Sequence, residues 1–234
     1  MRLEGKVAIV VGAGQTRGET IGNGRATAIR FAQEGATVLA VDKDETSAAE
    51  TVRMIESEGG TASMLGVDIV EEAQNKTISE AALKRYGRID ILHNNVGRSE
   101  GDRATPDLDV TVWDNLMAMN LKGMWMTIKH VLPVMRQQNS GSIINVSSTA
   151  SLSICDTVTY KTSKGAINTM TQHIAMENAC YGVRANAILP GLMDTPMAIE
   201  RRAREQKVER EVVRKARDVK VPLLGKMGTA WDVA

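Results

Sequence analysis

Several kinds of chemistry are excluded by what this 234-residue chain lacks. Its two cysteines, Cys155 and Cys180, are too few for a disulfide framework or a thiolate metal cluster, so free thiols in a reducing compartment are expected. His93, His130 and His173 stand far apart without zinc-ligand spacing, and no metal is expected. The 29 Lys and Arg nearly balance the 28 Asp and Glu, for a formal charge of +1. No overall field therefore draws nucleic acid or an anionic membrane, and partners must be recognised locally. The apolar runs are too short to span a bilayer, and the start at Met1-Arg2-Leu3-Glu4 has no signal-peptide pattern, so the cytoplasm is expected by elimination. No internal repeat or linker divides the chain. With 43% apolar residues it suffices for one substantial core, and a single domain over 1–234 is expected.

Short β-branched runs alternate with longer periodic stretches. Val7–Val11, Thr37–Val41, Ser63–Val67, Ile89–Leu92, Ser142–Val146 and Arg184–Leu189 read as strands. Strand-helix alternation implies parallel strands with crossover helices, hence an α/β, doubly wound parallel sheet. The two longest helical stretches, about Val110–Gln138 and Val158–Tyr181, have broad apolar faces suited to packing on the sheet or on another subunit. The thirteen methionines read mainly as filler at such interfaces. Residues 195–222, rich in Arg, Lys and Glu, read as a mobile, mostly helical lid. The sequence ends at Thr229–Ala234 as a helix begins, and a final helix and edge strand are expected beyond it.

Two local patterns carry chemistry. After the first strand come Gly12-Ala13-Gly14 and then Gly22-Asn23-Gly24 opening a helix. Glycines let the backbone approach a pyrophosphate, and the helix start offers free N–H groups and a positive dipole end. Asp42 follows the second strand, where a carboxylate accepts hydrogen bonds from ribose hydroxyls and repels a 2′-phosphate. NAD is favoured over NADP, although Lys43 and Arg17 pull the other way. The second pattern is Tyr160 and Lys164, four residues apart and so on one face of a helix. An ammonium beside a phenol favours the phenolate, which suits a general acid/base acting on an alcohol or ketone.

Gly12…Gly22-x-Gly24, Asn94-Asn95-Val96-Gly97, Asn120, Ser148, Tyr160-x-x-x-Lys164 and Pro190-Gly191, in that order, resemble the short-chain dehydrogenase/reductase family. The resemblance runs from Lys6 to the C-terminus. It implies a single Rossmann-type domain holding both cofactor and substrate, in a homotetramer built on the two long helices. It implies that Tyr160 is the general acid/base and that Lys164 binds the nicotinamide ribose and lowers the phenol pKa. Ser148, with Ser147 as fallback, orients the substrate oxygen, and Asn120 holds a relay water. Asp68 and Ile69 are expected at the adenine, and Asn95, Val96 and Gly97 on the ribose side. Pro190, Gly191, Met193 and Thr195 are expected at the nicotinamide end.

Departures from the family pattern are an insertion of about six residues within Gln15–Ile21, and Val11 and Val96 in place of the usual Thr and Ala. The insertion is expected to bulge beside the adenosine while the anchor glycines keep their roles. Cys155 reads as a packed thiol, His93 as a hydrogen-bonded, half-buried side chain, and Asp194 as a substrate contact or a helix cap. Arg201, Arg202 and Arg204 read as a solvated lid face, with a carboxylate, phosphate, coenzyme A thioester or acidic carrier protein as the alternative contact. The expected activity is NAD-dependent hydride transfer to or from a small-molecule secondary alcohol or ketone. Alternatives are a dinucleotide-sensing protein without turnover, a hydroxyacyl-thioester dehydrogenase or ketoacyl reductase, and a nucleotide-sugar epimerase or dehydratase, the last disfavoured by length.

Overall fold

A computed structural model describes residues 1–153 and 157–234, so Cys155 lies outside the described residues. Six strands form one parallel sheet: β1 (Val7–Val11), β2 (Thr37–Asp42), β3 (Thr61–Gly66), β4 (Ile91–Asn94), β5 (Gly141–Val146) and β6 (Val183–Ile188). Their spatial order, β3-β2-β1-β4-β5-β6, is that of a Rossmann-type doubly wound sheet. Side chains alternate across each strand, so β1 sends Ala8 and Val10 to one face and Ile9 and Val11 to the other. The first face is covered by α1 (Asn23–Gln33) and α2 (Glu45–Ser57), through Ala28, Ile29, Val52 and Ile55. The second is covered by α3 (Glu72–Tyr86), α5 (Met124–Gln138) and α6 (Val158–Asn178), through Ile78, Ile128, Met135, Ile167 and Ile174. Winding reverses between β1 and β4, so the crevice at their carboxyl ends is where such a sheet binds its ligand.

The stretch Val110–Gln138 is α4 (Val110–Met117) and α5 joined by a π-helical turn, Ala118–Gly123. Its cause lies in contacts from distant parts of the chain. The Gly123 carbonyl accepts from Asn75 Nδ2 (3.1 Å) and Thr127 Oγ1 (3.0 Å), and a Cβ at Gly123 would lie 2.9 Å from Ile69 Cδ1. Close packing on Ile69 and an oxygen drawn to Asn75 widen the turn by one residue, a feature that often marks functional positions.

Beyond the sheet, β7 (Met193–Asp194) pairs in parallel with β8 (Gly228–Thr229), and between them stand α7 (Pro196–Gln206) and α8 (Arg210–Asp218). The charged segment has its own small core of Ile199, Ala203, Val213 and Met227, which explains how so polar a stretch folds. No helix among the described residues is long and apolar enough to cross a membrane.

His93 differs from the sequence expectation. It is fully buried in β4, edge-on to Phe31 at 5.9 Å between ring centroids, and neither ring nitrogen has a hydrogen-bond partner among the described residues. Burial holds its pKa down at about 4. Between that value and the free value of about 6.5 the unfolded chain binds a proton that the folded chain refuses, so stability falls as pH drops through this window. Between pH 7 and pH 5 the loss is about 2 kcal/mol. His93→Leu should lose that much less over the same interval in urea unfolding; an equal loss in the variant would assign the acid sensitivity to other groups.

Candidate active site

At the end of β1 the chain turns sharply through Gly12, whose φ of +81° suits glycine. A Cβ there would lie 3.2 Å from Val96 Cγ2. Gly24, at the start of α1, packs against the Gly12 carbonyl so closely that a Cβ would overlap its oxygen and lie 2.6 Å from Asn95 Nδ2. Asn95 Nδ2 in turn donates to Gly12 O at 3.2 Å. The N-cap of α1, Gly22, provides no side-chain cap, no acid lies in the first turn, and the buried Asn23 Oδ1 lacks a hydrogen-bond partner among the described residues. A bare helix start behind a glycine turn fits a pyrophosphate.

Asp42 closes the far side of this turn. Its Oδ2 accepts from the Gly14 N–H and its Oδ1 from the Asp44 N–H, both at 3.0 Å. A Cβ on Gly14 would come within 2.9 Å of that carboxylate. Lys43 Nζ lies 3.4 Å from Asp68 and is thereby turned toward another acid. Asp68 remains at the rim, whereas the Ile69 side chain is buried under Gly123. Buried Arg25 donates to Thr51 Oγ1 (3.0 Å), which donates to the Ala13 carbonyl (2.7 Å). These braces lack a local sequence signature.

The insertion takes a different course from the one expected. Gln15 closes its neck, with Oε1 accepting from the Gly22 N–H at 2.8 Å and Nε2 donating to Thr20 O at 3.3 Å. The tip then reaches α7 and α8. Glu19 pairs with Arg210 and with Arg214 (3.4 Å), and the Glu19 N–H donates to Glu200 at 3.4 Å. Opposite charge on α8 directs the loop toward these two helices, and Gln15 closes its neck beside the glycine turn.

Tyr160 and Lys164 lie on α6, with Lys164 Nζ 5.6 Å from the phenol ring centroid. Lys164 is buried, donates to Val146 O at 2.7 Å, and is lowered by burial to a pKa of about 8, so it remains mostly charged at pH 7. Gly97 faces it, and a Cβ there would stand 2.7 Å from Nζ. Ser147 Oγ is buried and donates to the Lys164 carbonyl at 2.9 Å. Ser148 Oγ accepts from the Ala150 N–H at 3.1 Å, which leaves its own proton to give. Asn120 stands in the π-helical turn. Its Oδ1 accepts from the Arg98 N–H (2.9 Å), and its Nδ2 donates to Arg98 O (2.8 Å) and Ser163 Oγ (3.2 Å), which ties the loop after Gly97 to α6.

Two supports of this site escape sequence reading. Asp102 caps α6 from 58 residues away, its Oδ2 accepting from the Tyr160 N–H at 2.7 Å and its Oδ1 from the Thr159 N–H at 3.2 Å. Beneath the site, Asn94 Nδ2 donates to Asn145 Oδ1 and Asn145 Nδ2 to Thr171 Oγ1, both at 2.9 Å, locking β4, β5 and α6 together.

At the opposite wall, Pro190 O accepts from the Thr149 N–H at 3.0 Å, Met193 lies in β7, and buried Thr195 leads into α7. Gly191 has open space where a Cβ would project. Asp194 does not cap α7, whose N-cap is Thr195; its Oδ2 pairs with Arg214 at 3.1 Å, and its buried Oδ1 has no hydrogen-bond partner among the described residues. The arginines of α7 also divide: Arg204 is exposed as expected, but Arg201 and Arg202 turn inward and are partly buried.

These features define a dinucleotide-dependent oxidoreductase, and comparison with known proteins agrees. A family model described as short chain dehydrogenase matches residues 6–206. The chain is 36% identical to the 3-oxoacyl acyl-carrier-protein reductase of Thermotoga maritima, over 100% of this chain and 89% of that one. It is also 36% identical to the 7alpha-hydroxysteroid dehydrogenase of Clostridium sardiniense, over 85% of this chain and 75% of that one. Among solved structures, NAD+-bound xylitol dehydrogenase is similar at a TM-score of 0.89 and 29% identity, covering 100% of this chain and 90% of that one. Levodione reductase is similar at a TM-score of 0.91 and 27% identity, covering 99% and 88%. The chain belongs to the short-chain dehydrogenase/reductase family and is an NAD(P)-dependent oxidoreductase.

Proposed function

We propose that this protein transfers hydride between NAD and a secondary alcohol or ketone, with Tyr160 as general acid/base. The observation that carries the reading is the buried Lys164 ammonium, fixed on Val146 and set beside the Tyr160 ring opposite Gly97. The nicotinamide, when bound, supplies the hydride acceptor or donor. Tyr160 takes the proton of the carbinol oxygen in oxidation and returns it in reduction. Ser148 donates to the same oxygen; Ser147, already engaged with the Lys164 carbonyl, is the poorer candidate. Lys164 favours the phenolate and offers its ammonium to the nicotinamide ribose. Asn120 and Asp102 act as positioning residues, one holding the Arg98 loop and the other the first turn of α6.

Gly12, Gly14, Gly22, Asn23 and Gly24 would hold the pyrophosphate, and Asp42 the adenosine ribose. Asp68, Ile69, Asn95, Val96 and Gly97 would line the adenine and ribose path, and Pro190, Gly191, Met193 and Thr195 the nicotinamide end. Helices α7 and α8 would serve as the lid. The exposed Trp125, with Met117, Leu121, Ala166 and Met170 beside it, forms an apolar strip across α4, α5 and α6 that supports a homotetramer.

Asp42 supports NAD over NADP, because a 2′-phosphate would meet its carboxylate while Lys43 is directed to Asp68. Fluorescence titration should show NADH binding at least about tenfold tighter than NADPH, with the gap narrowed by Asp42→Ala. Tighter NADPH binding by the parent protein would overturn the preference.

A further inference from the structure

The arginines of the lid fall into two groups. Arg210 and Arg214 have acidic partners in Glu19, Glu200 and Asp194. Arg201 and Arg202 are served far less well. The Arg201 side chain is only 11% exposed, and its buried Nε has no hydrogen-bond partner among the described residues. Its nearest acid, Glu205, lies 3.8 Å away and is itself 45% exposed. Its NH2 donates to Ser99 Oγ at 3.1 Å, which places the guanidinium against the loop that follows Gly97. Arg202 NH1 donates to Ala198 O, a carbonyl of its own helix, at 3.0 Å.

The two guanidiniums also repel each other. Burial and the Arg201 charge hold the Arg202 pKa below its usual value, with Glu205 and the Tyr160 phenol opposing. Arg217 adds to the positive field from α8. It donates to the weak acceptor Met227 Sδ at 3.2 Å, and burial and Arg202 hold its pKa down at about 10. Asp194 and Asp218 temper Arg217, but Asp194 binds Arg214 through Oδ2, its Oδ1 bonding none of the cations among the described residues, and Asp218 accepts from the Met227 N–H at 2.8 Å. Desolvated, under-paired cations are costly, and an anion placed among them would offset that cost. Their position is informative because Arg202 lies within electrostatic reach of Tyr160 and Arg201 touches the loop beside Lys164. A guanidinium is also the side chain best matched to a carboxylate or phosphate.

We infer that Arg201 and Arg202 form an anion subsite facing Tyr160, and that the substrate is a hydroxy or keto compound carrying a carboxylate or a phosphate group. This rests on Tyr160 being the acid/base, so the test separates the two ideas. With NADH, 3-oxohexanoate, its methyl ester and a phosphorylated ketone, dihydroxyacetone phosphate, would be compared in the parent protein and in Arg201→Gln, Arg202→Gln, Arg202→Lys and the exposed control Arg204→Gln. The parent is expected to prefer at least one anionic ketone over the ester by roughly 10- to 100-fold in kcat/KM. Arg202→Gln should erase that preference through KM, with ester reduction and NADH affinity preserved; Arg202→Lys should restore part of it, and Arg204→Gln should leave it intact. Equal use of acid, phosphate and ester by the parent, or an unchanged preference in folded Arg201→Gln and Arg202→Gln, would overturn the subsite. If no ketone were reduced, calorimetric binding of 3-oxohexanoate and dihydroxyacetone phosphate to the NADH complex would still decide it. Binding lost in Arg202→Gln would uphold the subsite while the acid/base reading failed, and absence of binding by the parent would sink it.

Discussion

Tyr160→Phe is expected to bind NADH as the parent does while kcat falls by roughly 10²–10⁴-fold, the range associated with loss of a positioned general acid/base. The substitution removes one hydroxyl and keeps the ring and the backbone contacts of Tyr160. The Tyr160 backbone N–H still donates to Asp102, the ring still faces Lys164, and Lys164 still donates to Val146. Binding and turnover should therefore separate cleanly. A Tyr160→Phe protein that turned over at the parental rate would remove Tyr160 from the mechanism, whatever its cofactor affinity.

Gly24→Ala should have the second large effect, on the cofactor cradle. The new methyl would overlap the Gly12 carbonyl oxygen and come within 2.6 Å of Asn95 Nδ2. Neither neighbour is the free end of a flexible chain, since Gly12 is turn backbone and Asn95 is held to it at 3.2 Å. To relieve the overlap α1 must draw away from β1, which opens the gap between the glycine turn and the helix start. A stability loss of about 1–3 kcal/mol is expected from the overpacking, together with a large loss of NADH affinity. Gly165→Ala is a suitable comparison: it also lies in a helix, but a Cβ there meets nothing within 4 Å. It should be neutral or stabilising by up to about 1 kcal/mol. Thermal melts and NADH titrations on both variants check the contrast, and normal NADH binding by folded Gly24→Ala would contradict it.

Much of the fold could be read from the chain because parallel strands are buried on both faces and appear as continuous apolar runs. Val7–Val11 is such a run, and β1 occupies it end to end. β4 was expected at Ile89–Leu92 but extends over Ile91–Asn94, since polar His93 and Asn94 belong to the strand. Asn94 stays there through its bond to Asn145 on the neighbouring strand, a partner that no local pattern reveals. The π-helical turn was hidden for a similar reason: it depends on Ile69 and Asn75, about fifty residues before it. In the candidate site, Tyr160 and Lys164 were legible because their spacing is local, whereas Asp102 belongs to a distant loop. The inward turn of Arg201 and Arg202 is not legible in the sequence because so charged a helix shows no clear inner face. The packing of Ile199 and Ala203 against Val213, with the Arg201 bond to Ser99, shows which way these side chains turn.

The most direct measurement follows the transferred hydrogen itself. NADH deuterated at nicotinamide C4 would be incubated with the protein and a panel of cyclic, sugar-derived, steroid and 3-oxo acid ketones, and the products examined by mass spectrometry and NMR. Deuterium bound to the new carbinol carbon, formed by the parent protein and lost in Tyr160→Phe, is the predicted result. Tight NADH binding with no deuterium in any product across the panel would contradict it and favour a protein that senses the dinucleotide without turnover.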